Sequence, residues 1–589
     1  MKQILMAVSI SLLLVLTYVG CGSSSSDDEK RDSESTTVSS DSSEISSGGV
    51  NSNDSSFGSI ANSSAFVSGD RYRLLAWNDL GMHCMDGSDY SVFSILPPYN
   101  NLVAQLVERK DGDAKRVKSG VTLTYESINS LDGKLNSESS SKTNFWDYTK
   151  ALFGVDLAKD VGLAGNKVQS LTPQQLIYNA TNDWWSAEGI PTSPRNDDGS
   201  MNHYPMVKVT AKDTSGNILA TTTTVLPVSD EMDCRKCHAS NSSNDAKPNS
   251  GWVNSTDIEK DYKLNILKLH DEKNDISSYL AELKVKGYDY ANTLSETVAN
   301  GIPVLCASCH KSNALPNSGI AGIPPLTEAL HSEHASVIDP LSGQMLDNAS
   351  NRSACYACHP GATTQCLRGA MGKAKNSDGT MKMQCQSCHG GMRAVGKKDR
   401  EGWLDEPNCQ SCHQDGHRYT EAVTDFASGT LRASLDNRFA TNPNTPAQGK
   451  SLYRFSTGHE GMQCSSCHGA THAIYPSLRK EDNLQSIGVQ GHAGTINECT
   501  SCHLTTPKTA DKGPHGMHSV GQYWVDKHDN EAEGDATKCK SCHGQDYRGS
   551  FLSKTFSKRD FDIDDGKRKS YEAGVAVSCY DCHNGPDGE

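Results

Sequence analysis

The feature that most constrains this sequence is a five-residue pattern, Cys-x-x-Cys-His, which occurs nine times between Cys234 and His583. A chain with this many cysteines and histidines would contain roughly 0.03 such patterns by chance. Zinc sites pair two Cys-x-x-Cys units, so an odd number of patterns, each ending in histidine, does not fit zinc. In this pattern the two thiols add to the vinyl groups of a porphyrin, and the adjacent histidine ligates its iron. The pattern therefore predicts nine covalently bound c-type haems.

The motifs assign eighteen cysteines to haem attachment and nine histidines to the proximal side of iron. The attachment cysteines are Cys234, Cys237, Cys306, Cys309, Cys355, Cys358, Cys385, Cys388, Cys409, Cys412, Cys464, Cys467, Cys499, Cys502, Cys539, Cys542, Cys579 and Cys582. The proximal histidines are His238, His310, His359, His389, His413, His468, His503, His543 and His583. The motifs at Cys355, Cys385 and Cys409 follow one another so closely that we expect close packing of their haems.

Twelve histidines lie outside the motifs, enough to give each of nine irons a second histidine ligand. The preferred second ligands are His331, His334, His417, His459, His472, His515, His518 and His528. Further candidates are His492, His270 and His83. The last, His203, lies in a strand-like stretch and is interpreted as structural. Met383 and Met462 neighbour motifs, and ligation by methionine is the alternative, which would raise the reduction potential.

The first 21 residues have the layout of a secretory signal, with Lys2 followed by an apolar stretch too short to span a bilayer. Residues 18–21 resemble a bacterial lipobox, which predicts lipid attachment at Cys21; an ordinary cleaved signal is the alternative. Residues 22–69 are rich in Ser, Asp, Glu and Asn and are expected to form a disordered tether. These features predict a lipid-anchored protein of the outer membrane, at the cell surface or facing the periplasm.

Residues 70–230 contain no haem motif and are expected to form a β-rich, sandwich-like domain. Runs at 102–107 and 121–125 have strand composition, and 207–211 and 218–225 flank a turn, which predicts a hairpin. A helix is expected near 147–152. Residues 231–589 should form a nine-haem domain with little regular structure and short helices, one of them near 276–285. The predicted fold class is thus α+β with much irregular structure.

The composition supports a cofactor-rich fold and argues against nucleic-acid binding. Only 35% of the residues are hydrophobic, so apolar cofactors would have to supply part of the core. The formal charge of −15 does not provide the basic surface that nucleic acids require. It does suit a redox partner with a basic patch.

Two cysteines, Cys84 and Cys366, remain after the motifs and Cys21 are assigned. In an oxidising compartment two such cysteines predict a disulfide, here between the β-rich domain and the haem region. Closing so long a loop would contribute about 5 kcal/mol in the chain-entropy model. A free thiol, with Cys84 acting beside His83, is the alternative.

The signal, the Ser-rich tether and the dense motif array resemble the outer-surface multihaem cytochromes of metal-reducing bacteria. Residues 77–86, Trp-Asn-Asp-Leu-Gly-Met-His-Cys-Met-Asp, are similar to a stretch that precedes the haems in some of them. The resemblance implies electron transfer at the outer membrane, with other cytochromes or an outer-membrane conduit as partners and an extracellular electron acceptor.

Two other functions remain open at this stage. A nitrite- or hydroxylamine-type oxidoreductase would need one haem with an open ligand position, often marked by Cys-x-x-Cys-Lys, which does not occur in the sequence. A conductive filament is the other, although a lipid anchor argues against free filament growth. We therefore expect an electron carrier without a site for substrate conversion.

Overall fold

The computed structural model describes residues 71–398 and 457–586. Short gaps in the description occur at 111–113, 313, 316, 362, 458, 507–517, 519, 545, 551–552, 556 and 564–565. The expected signal, Cys21 and the tether lie outside the described residues. So do the motif at Cys409, Cys412 and His413 and the candidate ligands His417 and His515.

The N-terminal part is built on one eight-stranded, nearly closed sheet. Its strands are β1 (Tyr72–Asn78), β4 (Asn100–Glu108), β5 (Lys115–Val117), β6 (Val121–Ile128), β7 (Gln174–Asn179), β8 (Trp184–Ile190), β9 (Met206–Asp213) and β10 (Ile218–Val225). All pairs are antiparallel, in the order β1-β4-β8-β7-β6-β9-β10, with β5 beside β4. The first and last strands also contact each other, which brings the two edges together. The predicted β-rich domain is confirmed.

Alternation of side chains places the apolar face of this sheet inside. Along β6, Leu123 and Tyr125 are buried while their neighbours are partly exposed, as expected for a strand with one face in the core. They pack with buried residues of the other strands, among them Leu102 and Val209. The hairpin predicted after Asp213 is present between β9 and β10.

Four two-residue strands tie this sheet domain to the segments that follow. They are β2 (His83–Cys84), β3 (Phe93–Ser94), β11 (Val228–Ser229) and β12 (Val304–Leu305). Strand β2 pairs in parallel with β11, and β3 pairs in parallel with β12, which directly precedes the motif at Cys306. The last two strands, β13 (Arg559–Ile563) and β14 (Lys567–Tyr571), form an antiparallel ribbon near the end of the described chain.

The helices are short, as the sequence predicts for a region organised around cofactors. Those of six residues or more are α1 (Phe145–Phe153), α2 (Ile258–Lys273), α3 (Leu280–Val285), α4 (Leu294–Ala299), α5 (Leu326–His334), α6 (Lys480–Gln490), α7 (Gln522–Lys527) and α8 (Asp529–Asp535). Shorter α-turns occur at Arg235–His238, Ala370–Lys373, Gln386–His389, Met392–Val395, Cys464–His468 and Lys540–His543. Turns of 3-10 helix occur at Asn244–Ala246, Ser277–Tyr279, Cys306–Ser308, Ala354–Ala357, His459–Gly461, Thr471–Ala473, Cys499–Ser501, Ala536–Cys539 and Cys579–Asp581.

Helices α1 and α3 correspond to two predicted helices. Helix α1 covers the expected segment near 147–152. The helix expected over 276–285 is a 3-10 turn, Ser277–Tyr279, that continues into α3. Among the described residues, none of the helices has the length and apolar content that a membrane crossing requires.

The segment after Cys464 packs directly on the sheet through buried polar contacts. Gln485 in α6 accepts hydrogen bonds from the Ala76 N–H of β1 (2.7 Å) and the Thr222 hydroxyl of β10 (3.1 Å). Gln105 of β4 accepts from the Gln463 N–H at 3.0 Å, next to the motif. The sheet therefore serves as a platform for the motif at Cys464, through contacts between residues 263 to 409 positions apart in sequence.

Candidate haem-binding sites

The eight described motifs each form a single helical turn. We number the sites 1 to 9 in the order of their motifs, so that site 1 begins at Cys234, site 5 at Cys409 and site 9 at Cys579. In site 1 the His238 N–H donates to the Cys234 carbonyl at 2.9 Å, and in site 3 the His359 N–H donates to Cys355 at 2.8 Å. Residues i and i+3 of a helical turn lie on one face, so the turn places both thiols side by side with histidine next to them.

In seven of these sites the motif histidine faces a histidine from elsewhere in the chain. The pairs and their ring-centroid separations are His238–His334 at 6.2 Å, His310–His270 at 6.5 Å, His359–His331 at 6.0 Å, His389–His472 at 6.3 Å, His503–His459 at 5.9 Å, His543–His518 at 6.2 Å and His583–His528 at 5.7 Å. These distances are too long for direct ring contact in a stack and nearly the same in all seven pairs. The pairs therefore have a common cause, which is the size of what fits between the rings.

One metal ion with two axial imidazoles accounts for this separation. Metal–nitrogen bonds of about 2 Å, with roughly 1 Å more from each nitrogen to its ring centroid, place the centroids about 6 Å apart. The seven pairs thus fit an iron held between two imidazoles, beside two thiols for its porphyrin. The residues present match the group that the motif predicts.

Hydrogen bonds from Nδ1 to backbone carbonyls orient several of these rings. His331 and His334 donate from Nδ1 to the carbonyls of Thr327 (2.8 Å) and Leu330 (2.7 Å), one turn earlier in α5. The same kind of bond joins His472 Nδ1 to a carbonyl of the sheet domain, Leu80 O, at 2.9 Å. A proton fixed on Nδ1 leaves Nε2 as the ligating nitrogen, which is how protein ligands of metals are usually held.

Burial lowers the pKa of several of the paired rings. Burial, together with a smaller effect of the facing His334, lowers the pKa of His238 to about 4. Burial likewise lowers the pKa of His359 to about 4, with smaller effects of His331 and His472. The pKa of His270 is also lowered by burial. A neutral imidazole has a free lone pair for metal, so these rings are ready to ligate at neutral pH.

Three spare histidines are placed differently. His83 is buried, lies 2.7 Å from the Asp79 carboxylate and contacts the Tyr99 ring rather than a motif histidine. His492 bonds to Glu498 at 3.2 Å. His203 contacts the Val228 carbonyl at 3.3 Å inside the sheet domain.

Sequence reasoning gave no order of preference that would select His270 over His83 and His492. Only the packing of α2 brings His270 opposite His310. Of the alternative methionine ligands, Met462 packs against the apolar cluster of Trp77 and Val489.

Cys84 and Cys366 lie near each other as two thiols, not as the expected disulfide. Burial raises the pKa of both, that of Cys366 to about 12, and a negative charge on Cys366 would raise that of Cys84 further. The chain around them is held independently, since Glu231 binds the Thr363 N–H at 2.8 Å and the Thr364 N–H at 3.1 Å. The free-thiol alternative is therefore the one that the structure supports, at the predicted junction of sheet domain and haem region.

Comparison with known proteins agrees with this geometry. Residues 226–400, which contain sites 1 to 4, match the family model described as outer membrane cytochrome MtrC/MtrF-like, domains II/IV. Searches of curated proteins and of solved structures found no match. Residues 226–400 are thus similar to this family, and the match supports a multihaem c-type cytochrome of the outer membrane or cell surface.

Proposed function

We propose that the chain carries electrons through nine covalently attached haems, each ligated by two histidines. The observation that carries this proposal is the set of seven facing histidine pairs at 5.7 to 6.5 Å. When bound, haem supplies a one-electron iron couple, and two histidine ligands keep it at lower potential than methionine would. Both axial positions are then filled by protein, so that electron transfer is favoured over conversion of a substrate at iron.

The chain's own residues have three roles in this proposal. The motif cysteines fix each porphyrin to a helical turn, and the facing histidines hold the iron from both sides. The backbone carbonyls at Thr327, Leu330 and Leu80 hold the Nδ1 protons and so keep the Nε2 lone pairs directed at the metal. For sites 5 and 6 the remaining members of the preferred ligand set are His417 and His515.

We further propose that lipid on Cys21 anchors the protein in the outer membrane. Residues 22–69 would then extend the folded part away from the bilayer, since a chain of this composition does not form a packed core. This arrangement suits extracellular respiration, in which another cytochrome or a membrane conduit donates electrons and an external acceptor receives them.

Haem counting and low-temperature EPR test the proposal. Intact-mass analysis of the purified protein should give nine haems per chain, and the ferric spectrum should contain only low-spin signals. A high-spin signal of about one haem would overturn the fully histidine-ligated scheme and favour the oxidoreductase alternative. Fewer than nine haems would show that a motif is not used.

A matched pair of variants tests the ligand assignment. His270→Met should convert one low-spin signal to a histidine–methionine type and raise one potential in a redox titration. His492→Met is the control, because His492 bonds to Glu498 and faces none of the eight motif histidines that the structure describes. An unchanged titration for His270→Met would remove it from the ligand set.

A further inference from the structure

We infer that the buried carboxyl group of Asp86 takes up a proton when an electron enters the iron of site 1 or site 2. This inference rests on the proposed attachment and ligation of haem, and it adds a proton-binding residue outside the motifs and the histidine pairs. Three observations carry it: the burial of Asp86, one carboxylate oxygen without a partner, and its place beside attachment cysteines of both sites.

Asp86 lies between β2 and β3 and is 4% exposed. Its Oδ2 accepts three hydrogen bonds, from the Ser94 hydroxyl at 2.9 Å and from the N–H groups of Ile95 and Leu96 at 2.8 and 2.9 Å. Its Oδ1 has no hydrogen-bond partner among the described residues. A buried anion with one oxygen unpaired is costly. A proton on Oδ1 removes the charge and leaves the three bonds to Oδ2 intact.

The strand that binds Asp86 also places it beside the turn of site 2. Ser94 of β3 pairs with Leu305 of β12, the residue before Cys306. Burial raises the pKa of the Cys306 and Cys234 thiols, and a charge on Asp86 adds to this effect at both. Both cysteines pack against one cluster of buried apolar side chains, where a charge is screened less than in water. Asp86 therefore acts on the first attachment point of site 1 and of site 2.

The other ionisable groups around Asp86 have partners or keep their protons. Lys263 of α2 is 0% exposed and donates from Nζ to the Asp89 carbonyl. Glu259 of the same helix accepts from the N–H groups of Ser88 and Asp89 at 3.0 and 2.8 Å. The attachment cysteines do not titrate once they are thioethers. Burial raises the pKa of the remaining three neighbours, Tyr90, Tyr262 and Cys84.

A cavity of about 390 Å³ borders Asp86 and gives a proton a route from solvent. Ile258 in its lining is 67% exposed, so the cavity adjoins bulk water. Besides His359 of site 3 and the groups already named, its ionisable lining residues have partners: Asp233 with Arg235, Asp230 with Arg195, Glu231 with two backbone N–H groups, and Lys236 with the Tyr356 carbonyl.

The electrostatics of this position suit a group that changes its protonation with the redox state. Burial raises the pKa of Asp86 to about 6, although Lys263 and the bonds to Oδ2 act in the opposite direction. An electron that enters iron nearby adds one negative charge to the interior, which favours the neutral carboxyl group. The iron gains one electron from the donor, Asp86 gains one proton from water, and the only bond formed is the O–H bond on Oδ1.

The pH dependence of one potential tests this inference. His270→Met gives site 2 a histidine–methionine spectrum, so that its potential can be followed separately from about pH 5 to about pH 8. The potential should be highest at low pH, where Asp86 is neutral, and should fall as the pH rises above about 6, because the anion opposes an added electron. Adding Asp86→Asn should hold the potential at its low-pH value throughout.

Asp339 provides the matched control, because it is as buried as Asp86 but fully bonded. It is 3% exposed and accepts from the Leu341 N–H at 2.9 Å and the Ser342 hydroxyl at 2.7 Å. Burial would raise the pKa of Asp339, but its hydrogen bonds lower it, so that it stays charged over this pH range. Asp339→Asn should leave the pH dependence of the site 2 potential unchanged.

A potential that does not vary with pH, or that still varies in the Asp86→Asn background, would overturn the inference. Infrared spectroscopy of the unaltered protein gives a second readout. At about pH 7, the reduced-minus-oxidised spectrum should contain the C=O stretch of a protonated carboxyl group, and isotope-labelled aspartate should shift it. Absence of this band would also overturn the inference, even if Asp86→Asn does not fold. A His270→Met variant with an unaltered visible spectrum would instead contradict the ligand pairing.

Discussion

The buried ion pair between Arg368 and Asp482 offers the sharpest test of how the haem region is held together. The two side chains are 0% and 3% exposed, and two hydrogen bonds join them, Nε to Oδ2 at 2.7 Å and Nη2 to Oδ1 at 2.9 Å. Ser477 donates to the same carboxylate at 2.6 Å, and Arg368 also donates to the Gly81 carbonyl. The pair therefore connects the segment after site 3, helix α6 and the loop after β1 at one point.

Removing one partner should be costly because it leaves an uncompensated charge in the interior. Burial alone would lower the pKa of Arg368, but the carboxylate of Asp482 outweighs burial and raises it, so the guanidinium stays charged. We expect Arg368→Met to lower the free energy of unfolding by about 3–5 kcal/mol. With a denaturant slope of about 4 kcal/mol per molar guanidinium, the unfolding midpoint falls by about 1 M.

The double variant Arg368→Met/Asp482→Leu is the control for this argument. Replacing a buried ion pair by apolar side chains of similar size is often neutral, so the double variant should recover most of the stability that the single one loses. A loss of less than about 1 kcal/mol in the single variant, or additive losses in the double, would refute the reasoning.

Loss of this ion pair should also have a measurable effect at site 4. The N–H groups of Arg368 and Gly369 donate to the His472 carbonyl at 3.0 and 2.9 Å, so the ion pair fixes the backbone of the residue that faces His389. We expect Arg368→Met to broaden one low-spin EPR signal, and the double variant to restore it.

Three smaller perturbations test other contacts. Gly81 has φ of +90°, and an added Cβ would lie 3.0 Å from the His472 nitrogen, so Gly81→Ala should cost about 1–3 kcal/mol in thermal unfolding. The Asp257 side chain caps α2 by accepting hydrogen bonds from the Glu259 and Lys260 N–H groups. Asp257→Ala should therefore lower the free energy of unfolding by about 1 kcal/mol, and Asp257→Asn by much less. Burial would raise the pKa of Glu498, but bonds to His492 and Arg559 lower it to about 2 from 4.5. Its stabilisation should therefore be present above pH 4.5 and be lost as the pH falls toward 2, and Glu498→Gln should flatten this dependence of the melting temperature.

What could be predicted from the sequence was the chemistry that a few adjacent residues determine. The attachment turns follow from Cys-x-x-Cys-His alone, because a single helical turn suffices to bring the thiols together. The hairpin after Asp213 was predictable for the same reason: the Asp213 N–H and side chain close the turn on Asn217, and Gly216 takes the positive φ it requires.

What could not be predicted was which distant residue completes each site. His472 lies next to the motif of site 6 yet faces His389 of site 4, because its ring is turned by a bond to Leu80 of the sheet domain. Which histidine faces a given motif depends on packing between segments far apart in sequence. The spacing of the motifs along the chain carries no information about that packing. Closure of the sheet is equally non-local, since it depends on contact between β1 and β10 at opposite ends of the domain.

The histidine pairs themselves explain why neighbouring sites stay together. The pair His238–His334 interleaves in sequence with His331–His359, because His331 precedes His334. Because the two distal histidines lie three residues apart on α5, sites 1 and 3 cannot separate unless α5 unwinds or one of the two pairs breaks.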